Sequence, residues 1–158
     1  TRQWVILFLK QLEKKHLIKG TRVLSRRKLL DYWLGIKKSK LKFKMYMVRN
    51  PLNVLKNSNM DYALTTYQAE NLVQHYLFPS RTDIYVKGED MEKWHKLMLK
   101  QGLYGSGNMR IIPYDLNIFY GRKKIKGLFI VSLAQLIIDL FREGGPCEEA
   151  AEMLLKRL

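Results

Sequence analysis

Over residues 2–15 the apolar side chains Trp4, Val5, Phe8, Leu9 and Leu12 gather on one side of a helical wheel, and Arg2, Gln3, Ile6, Lys10, Glu13 and Lys14 gather on the other. This spacing predicts an amphipathic helix with a basic outer face. Two short apolar or β-branched runs, Leu17-Ile18 and Val23-Leu24, then flank Gly20 and predict a small hairpin tipped by Lys19 and Arg22. Ser25 is placed to cap a second helix over 26–34, which buries Leu29, Leu30 and Trp33 and stops at Gly35. No periodicity survives between Ile36 and Lys40, and Lys37-Lys38-Ser39-Lys40 reads as a linker.

A second body follows. Residues 41–47 alternate apolar and polar, which predicts a half-buried strand with Lys42 and Lys44 facing solvent. Pro51 and the asparagines around it make 50–61 a loop. Ala63, Leu64, Ala69, Leu72, Val73 and Tyr76 recur at helical spacing, so 62–76 reads as one helix, closed by Pro79. A strand over 82–86, a helix over 89–101 ended by Gly102, and strands over 109–112 and 117–120 come next. A basic turn at 121–124 leads to a strand over 128–131 and a helix from Ser132 to Phe141. Gly144-Gly145-Pro146 breaks that helix and starts the last one, 147–158. The fold class expected is α+β: a partial winged-helix segment over 1–36, then a mixed α/β body over 41–158 with a small sheet and C-terminal helices.

Composition agrees with a folded body, since 47% of the 158 residues are hydrophobic and 27% charged. Charge changes the picture more. The first fifty residues hold fifteen lysines and arginines against two acids, Glu13 and Asp31, while the other 108 hold fourteen bases and twelve acids. An asymmetry of this size calls for a polyanionic partner. The longest apolar stretch, 128–141, is interrupted by Ser132, Gln135 and Asp139 and is too short to span a bilayer. The lone Cys147 provides no disulfide framework, and the expected location is cytoplasmic.

Helix, glycine-tipped basic hairpin, helix is the order in which a winged helix presents a groove-reading helix and a phosphate-touching wing. In that reading Arg2, Gln3, Lys10 and Lys14 face the groove of duplex DNA, and Lys19, Arg22, Arg26 and Arg27 meet phosphates. A solvated basic face is the plain alternative for the same residues. Gly105-Ser106 followed by Asp115-Leu116-Asn117 is similar to a nucleotidyltransferase signature, in which a Gly-Ser turn holds a triphosphate and two carboxylates hold metal ions. Asn117 stands where the second carboxylate belongs, and the later strand 128–131 has no acid, so a hairpin turn and a turn aspartate are the readings favoured here. His16, His75 and His95 lie on separate elements, so neither a metal nor a cofactor is expected. Cys147 reads as a packing residue and Ser132 as a helix cap. Most of the nine tyrosines are expected in the core or on the sheet.

The string from Val131 to Leu140, the Gly144-Gly145 break and Glu149-Ala150-Ala151-Glu152-Met153-Leu154-Leu155 resemble the C-terminal end of prokaryotic winged-helix regulators of the AbiEi antitoxin type. Tyr62-Ala63-Leu64-Thr65-Thr66, Asp83-Ile84-Tyr85-Val86, Pro113-Tyr114-Asp115 and Ile118-Phe119-Tyr120-Gly121 resemble the same family in the same order, and Leu29-Leu30-Asp31-Tyr32-Trp33 resembles the helix joining its two parts. The resemblance implies a non-enzymatic transcriptional regulator of a type IV toxin–antitoxin system, which represses its own operon and counteracts a nucleotidyltransferase toxin. Its implied partners are duplex DNA and that toxin; a second copy of the chain is a further partner expected here, and a membrane is not. By the same alignment 1–15 matches the recognition helix and the family's preceding helices would be missing, so an incomplete winged segment is expected. A nucleotidyltransferase-like enzyme, or a module binding protein and RNA, are the alternative functions.

Overall fold

The computed structural model describes residues 2–36 and 41–158, and the chain divides into two compact units, Thr1–Ser39 and Lys40–Leu158. The expected linker 37–40 lies outside the described residues. The fold class is α+β, with seven α-helices, one seven-stranded mixed sheet and one two-stranded sheet among the described residues.

The first unit is built from α1 (Arg2–Lys14), a hairpin of β1 (Ile18–Lys19) and β2 (Arg22–Val23), and α2 (Arg26–Gly35). Leu12, Leu17 and Ile18 form its buried centre, and Phe8, Leu9, Leu29 and Tyr32 pack against them. Trp4 and Val5, expected inside, are 63% and 49% exposed, and Trp33 is 42% exposed. The reason is reach. A helix of 13 residues runs about 20 Å, whereas strands of two residues span about 7 Å, so the hairpin covers only the last turns of α1.

The second unit is a sheet in the order β6-β3-β7-β5-β4-β9-β8. Its strands are β3 (Lys44–Val48), β4 (Ala63–Thr65), β5 (Thr82–Lys87), β6 (Gly102–Tyr104), β7 (Met109–Tyr114), β8 (Lys123–Ile125) and β9 (Leu128–Ile130). β5 runs parallel to β7, β4 parallel to β9, and the remaining pairs are antiparallel. Helices α4 (Thr66–Gln74), α6 (Leu133–Glu143) and α7 (Pro146–Leu155) pack on one another, and α4 lies against β4 and β5. Helix α5 (Met91–Gln101) lies against β3 and β6, and α3 (Pro51–Asn57) against β9.

Several expectations fail here for identifiable reasons. Residues 50–61 are not all loop: Asn50 accepts a hydrogen bond from the Asn53 N–H at 3.3 Å and Pro51 opens α3, so the proline is a helix start rather than a breaker. The helix expected over 62–76 begins as β4, fully buried between β5 and β9; Thr66, at φ 51°, turns the chain from strand into helix. Leu116–Phe119 is a 3-10 turn rather than a strand, and part of the supposed turn 121–124 belongs to edge strand β8. Strand β6 had no signal beyond Gly102, whose hydrogen allows an approach that a Cβ would block at 2.0 Å from the Met47 carbonyl oxygen.

The phase of β3 is the opposite of the expected one. Tyr46 and Val48 are buried and Phe43 and Met47 are half exposed, at 50% and 52%. The Tyr46 hydroxyl meets His95 Nδ1 on α5 at 2.7 Å, which fixes that face inward, and an offset of one position exchanges every side chain between faces.

Between β4, β5 and α6 lies a buried carboxylate, Asp139. It accepts hydrogen bonds from Thr65 Oγ1 at 2.6 Å, Gln135 Nε2 at 2.8 Å and the Tyr85 hydroxyl at 3.0 Å, yet burial outweighs them and pushes its pKa up to about 6. The folded protein therefore holds this proton more tightly than the unfolded chain, and the stability so contributed is complete below pH 3.8 and is lost as pH rises through about 6. In Asp139→Asn this dependence disappears: urea unfolding should show the wild type losing up to about 3 kcal/mol relative to the variant between pH 4 and pH 8. A difference that stays constant across that window refutes the assignment.

Candidate nucleic-acid interface

All nine lysines and arginines among the described residues of the first unit are exposed, against the two acids Glu13 and Asp31. On α1 Gln3, Lys10 and Lys14 lie on the arc opposite the buried Leu12, and the exposed Arg2 stands at the edge of that arc. The hairpin registers Lys19 directly opposite Arg22, which places two like charges side by side on the outside, an arrangement unfavourable without a counter-ion. Gly20, at φ 61°, opens its two-residue loop, where a positive φ is needed. The Gly20 N–H donates to Glu13 Oε1 at 2.6 Å, so one of the unit's two acids ties the hairpin to α1.

Ser25 caps α2 as expected, accepting from the Lys28 N–H at 3.3 Å. The first turn of α2 contains no acid and carries Arg26, Arg27 and Lys28 instead. Bases at a helix N-terminus oppose its dipole, so α2 gains no stability from them and the local potential is strongly positive. Arg27 is partly engaged, because its Nε donates to Asp31 Oδ1 at 3.0 Å one turn along. The structure thus brings Lys19 and Arg22 together, sets Gln3, Lys10 and Lys14 on one helix arc with Arg2 at its edge, leaves Arg26 outward, and ties Arg27 to a carboxylate.

The nucleotidyltransferase-like residues are not brought together. Gly105-Ser106 precedes β7 and Asp115 follows it, so the turn and the acid stand at opposite ends of a six-residue strand, about 20 Å apart. Asp115 accepts from the Asn117 N–H at 2.9 Å as a turn cap. It lines, with Lys87, Glu89, Tyr114 and Asn117, an open hollow of about 410 Å³ from which Ser106 is absent. Among the described residues no three His, Cys, Asp or Glu side chains are grouped to hold a metal ion. Ser132 caps α6 through the Gln135 N–H at 3.3 Å, and Cys147 is buried with its thiol pKa raised by that burial. Tyr46 and Tyr85 are core residues as expected, while Tyr120 is 88% exposed.

The family model of transcriptional regulators that are AbiEi antitoxins of type IV toxin–antitoxin systems matches residues 22–158. That span takes in β2, α2 and the whole second unit, and α1 and β1 lie before it. No curated protein and no solved structure matches the chain.

The tie between Glu13 and the hairpin is testable. In Glu13→Ala the Gly20 amide should exchange with solvent markedly faster by NMR, and the unit should lose about 1 kcal/mol of stability, the net value of one hydrogen bond. Unchanged Gly20 exchange would show that the hairpin holds its shape without Glu13.

Proposed function

The chain belongs to the AbiEi antitoxin family of transcriptional regulators from type IV toxin–antitoxin systems, and from that premise we propose that the unit Thr1–Ser39 is a winged-helix segment binding duplex DNA. The observation that carries this reading is that all nine bases on a helix–hairpin–helix of 35 described residues are exposed, with two acids for company. Helix α1 is of a size to enter a major groove, with Arg2, Gln3, Lys10 and Lys14 towards the bases. Lys19 and Arg22 on the hairpin and Arg26 and Arg27 at the start of α2 then take backbone phosphates, which fix register without reading sequence.

In this reading the unit Lys40–Leu158 is the effector or antitoxin part, and the regulator represses its own operon and opposes a nucleotidyltransferase toxin. It acts as a binding protein in the cytoplasm rather than as an enzyme. In support of the first point, the Gly-Ser turn and Asp115 stand at opposite ends of β7, which deprives a transferase site of its geometry. No helix among the described residues is long and apolar enough to cross a membrane.

Fluorescence anisotropy on a labelled duplex tests the interface. Each phosphate contact contributes about 0.9 to the slope of log affinity against log salt, so Lys19→Ala with Arg22→Ala should lower that slope by about two. An unaltered slope, or no binding by the intact chain at low salt, sinks the proposal.

A further inference from the structure

We infer that the open edge of β6 pairs with the same edge of a second copy of this chain, Tyr104 opposite Tyr104, joining the two sheets across a twofold axis. The inference does not rest on DNA binding, and it concerns the second unit alone.

The two outer strands of the sheet differ in what guards them. β8 carries Lys123 and Lys124, both exposed, and charge on an edge strand keeps sheets from joining. β6, at the other end, has no such guard: residues 101–109 hold no charged side chain, and Leu103 and Tyr104 are 74% and 58% exposed. The next charges along the chain are Lys100 and Arg110, and Arg110 is turned to Asp83 and Glu143. The edge also has hydrogen-bonding groups to offer. The Gly105 N–H donates to the Met45 carbonyl at 2.9 Å, and in an antiparallel ladder successive residues address opposite neighbours. Leu103 and Gly105 therefore address β3, whereas the Tyr104 N–H and C=O point outward past the edge. Among the described residues no other element takes them.

A strand with these properties is self-complementary. Set antiparallel to itself with Tyr104 opposite Tyr104, it exchanges two N–H···O=C bonds across the twofold axis. Leu103 then faces Gly105 of the copy, which has no side chain to obstruct it. On one side of the sheet the Tyr104 ring is already held, with its centre 5.5 Å from that of Tyr46 and 5.4 Å from that of His95. Pairing extends this aromatic row into the second copy and costs little side-chain freedom. On the other side Leu103 stands in register with Met47, itself 52% exposed, and the paired edges screen this apolar surface from water. Charge selects the occupant. The chain carries a net +15, so two copies repel, and the repulsion is least where both present an uncharged edge. An acidic partner is drawn to the exposed bases instead. A strand of three residues makes a small interface, so the dimer is weak and forms as concentration rises.

Sedimentation velocity on the full chain, up to concentrations on the order of 100 μM where a weak interface is populated, reads the association. The average mass should rise towards that of a dimer, and rise further in high salt, because screening lowers the repulsion and no ion pair is lost. Leu103→Lys should abolish the rise and leave thermal unfolding unchanged. Position is read by a cysteine, since hydrogen-bonded antiparallel partners stand about 5.5 Å apart between Cα atoms, within disulfide range. Under oxidation by diamide Tyr104→Cys should form a covalent dimer about tenfold faster than Tyr120→Cys, at a position 88% exposed, while wild type, with Cys147 buried, forms none. A mass that stays monomeric at the highest concentration overturns the inference. So does association that Leu103→Lys leaves intact, or equal cross-linking at 104 and 120, either of which puts the contact on another surface. Association that weakens in salt overturns it in favour of bridging by a polyanion.

Discussion

The second unit is organised around a charge that has no exposure to water. Asp83 sits in β5, the middle strand of seven, and is fully buried. An ionised carboxylate in that position costs several kcal/mol unless it is matched by opposite charge and hydrogen bonds. Arg81 Nε and Nη2 donate to it at 2.7 and 2.9 Å, and Arg110 Nε and Nη2 at 3.1 and 2.9 Å, while the Thr66 hydroxyl adds a further bond. Arg110 Nη2 also donates to Glu143 Oε2 at 3.0 Å, and Arg81 reaches the same carboxylate. One network thereby joins β5, β7, the first residue of α4 and the last residue of α6, and the order of the sheet and its helical cover depend on that matching.

Arginine and lysine are used differently along the chain. In the second unit Arg81, Arg110 and Arg122 are turned inward, each bonded to a carboxylate and stacked near an aromatic ring. The planar guanidinium suits this, since it can bond two ways and lie flat against a ring. The lysines of the β8–β9 hairpin and the bases of the first unit carry their charge outward instead. Net charge alone hides the division: the second unit holds eighteen bases and twelve acids, and since its inward arginines are matched to carboxylates, the exposed lysines of the β8–β9 hairpin leave that edge positive.

The basic unit was the more legible part. Helix α1, the hairpin at Gly20 and the Ser25 cap stand where periodicity and turn chemistry put them, because each is fixed by interactions within a few residues. The site residues' exposure could also be anticipated, as charge on the outer arc of an amphipathic helix has nowhere else to go. What was not legible was how far the core extends, and Trp4 and Val5 carry the right pattern on a stretch of helix that the short hairpin does not reach. The nucleotidyltransferase-like spacing, set aside on Asn117, comes to nothing in space as well: Asp115 is the turn residue expected, and a six-residue strand separates it from Gly105-Ser106.

The sequence by itself determined the α+β class, the concentration of positive charge, most helix positions and the family to which residues 22–158 belong, since these rest on local propensity, composition and order along the chain. Tertiary structure alone decided the face of β3 that turns inward, the existence of β4 and β6 as strands, and the pairing that leaves Lys123 and Lys124 on an open edge. Those outcomes depend on strand partners and helices far away in sequence. A one-position change of register costs the local pattern nothing, yet it exchanges core for solvent across a whole strand.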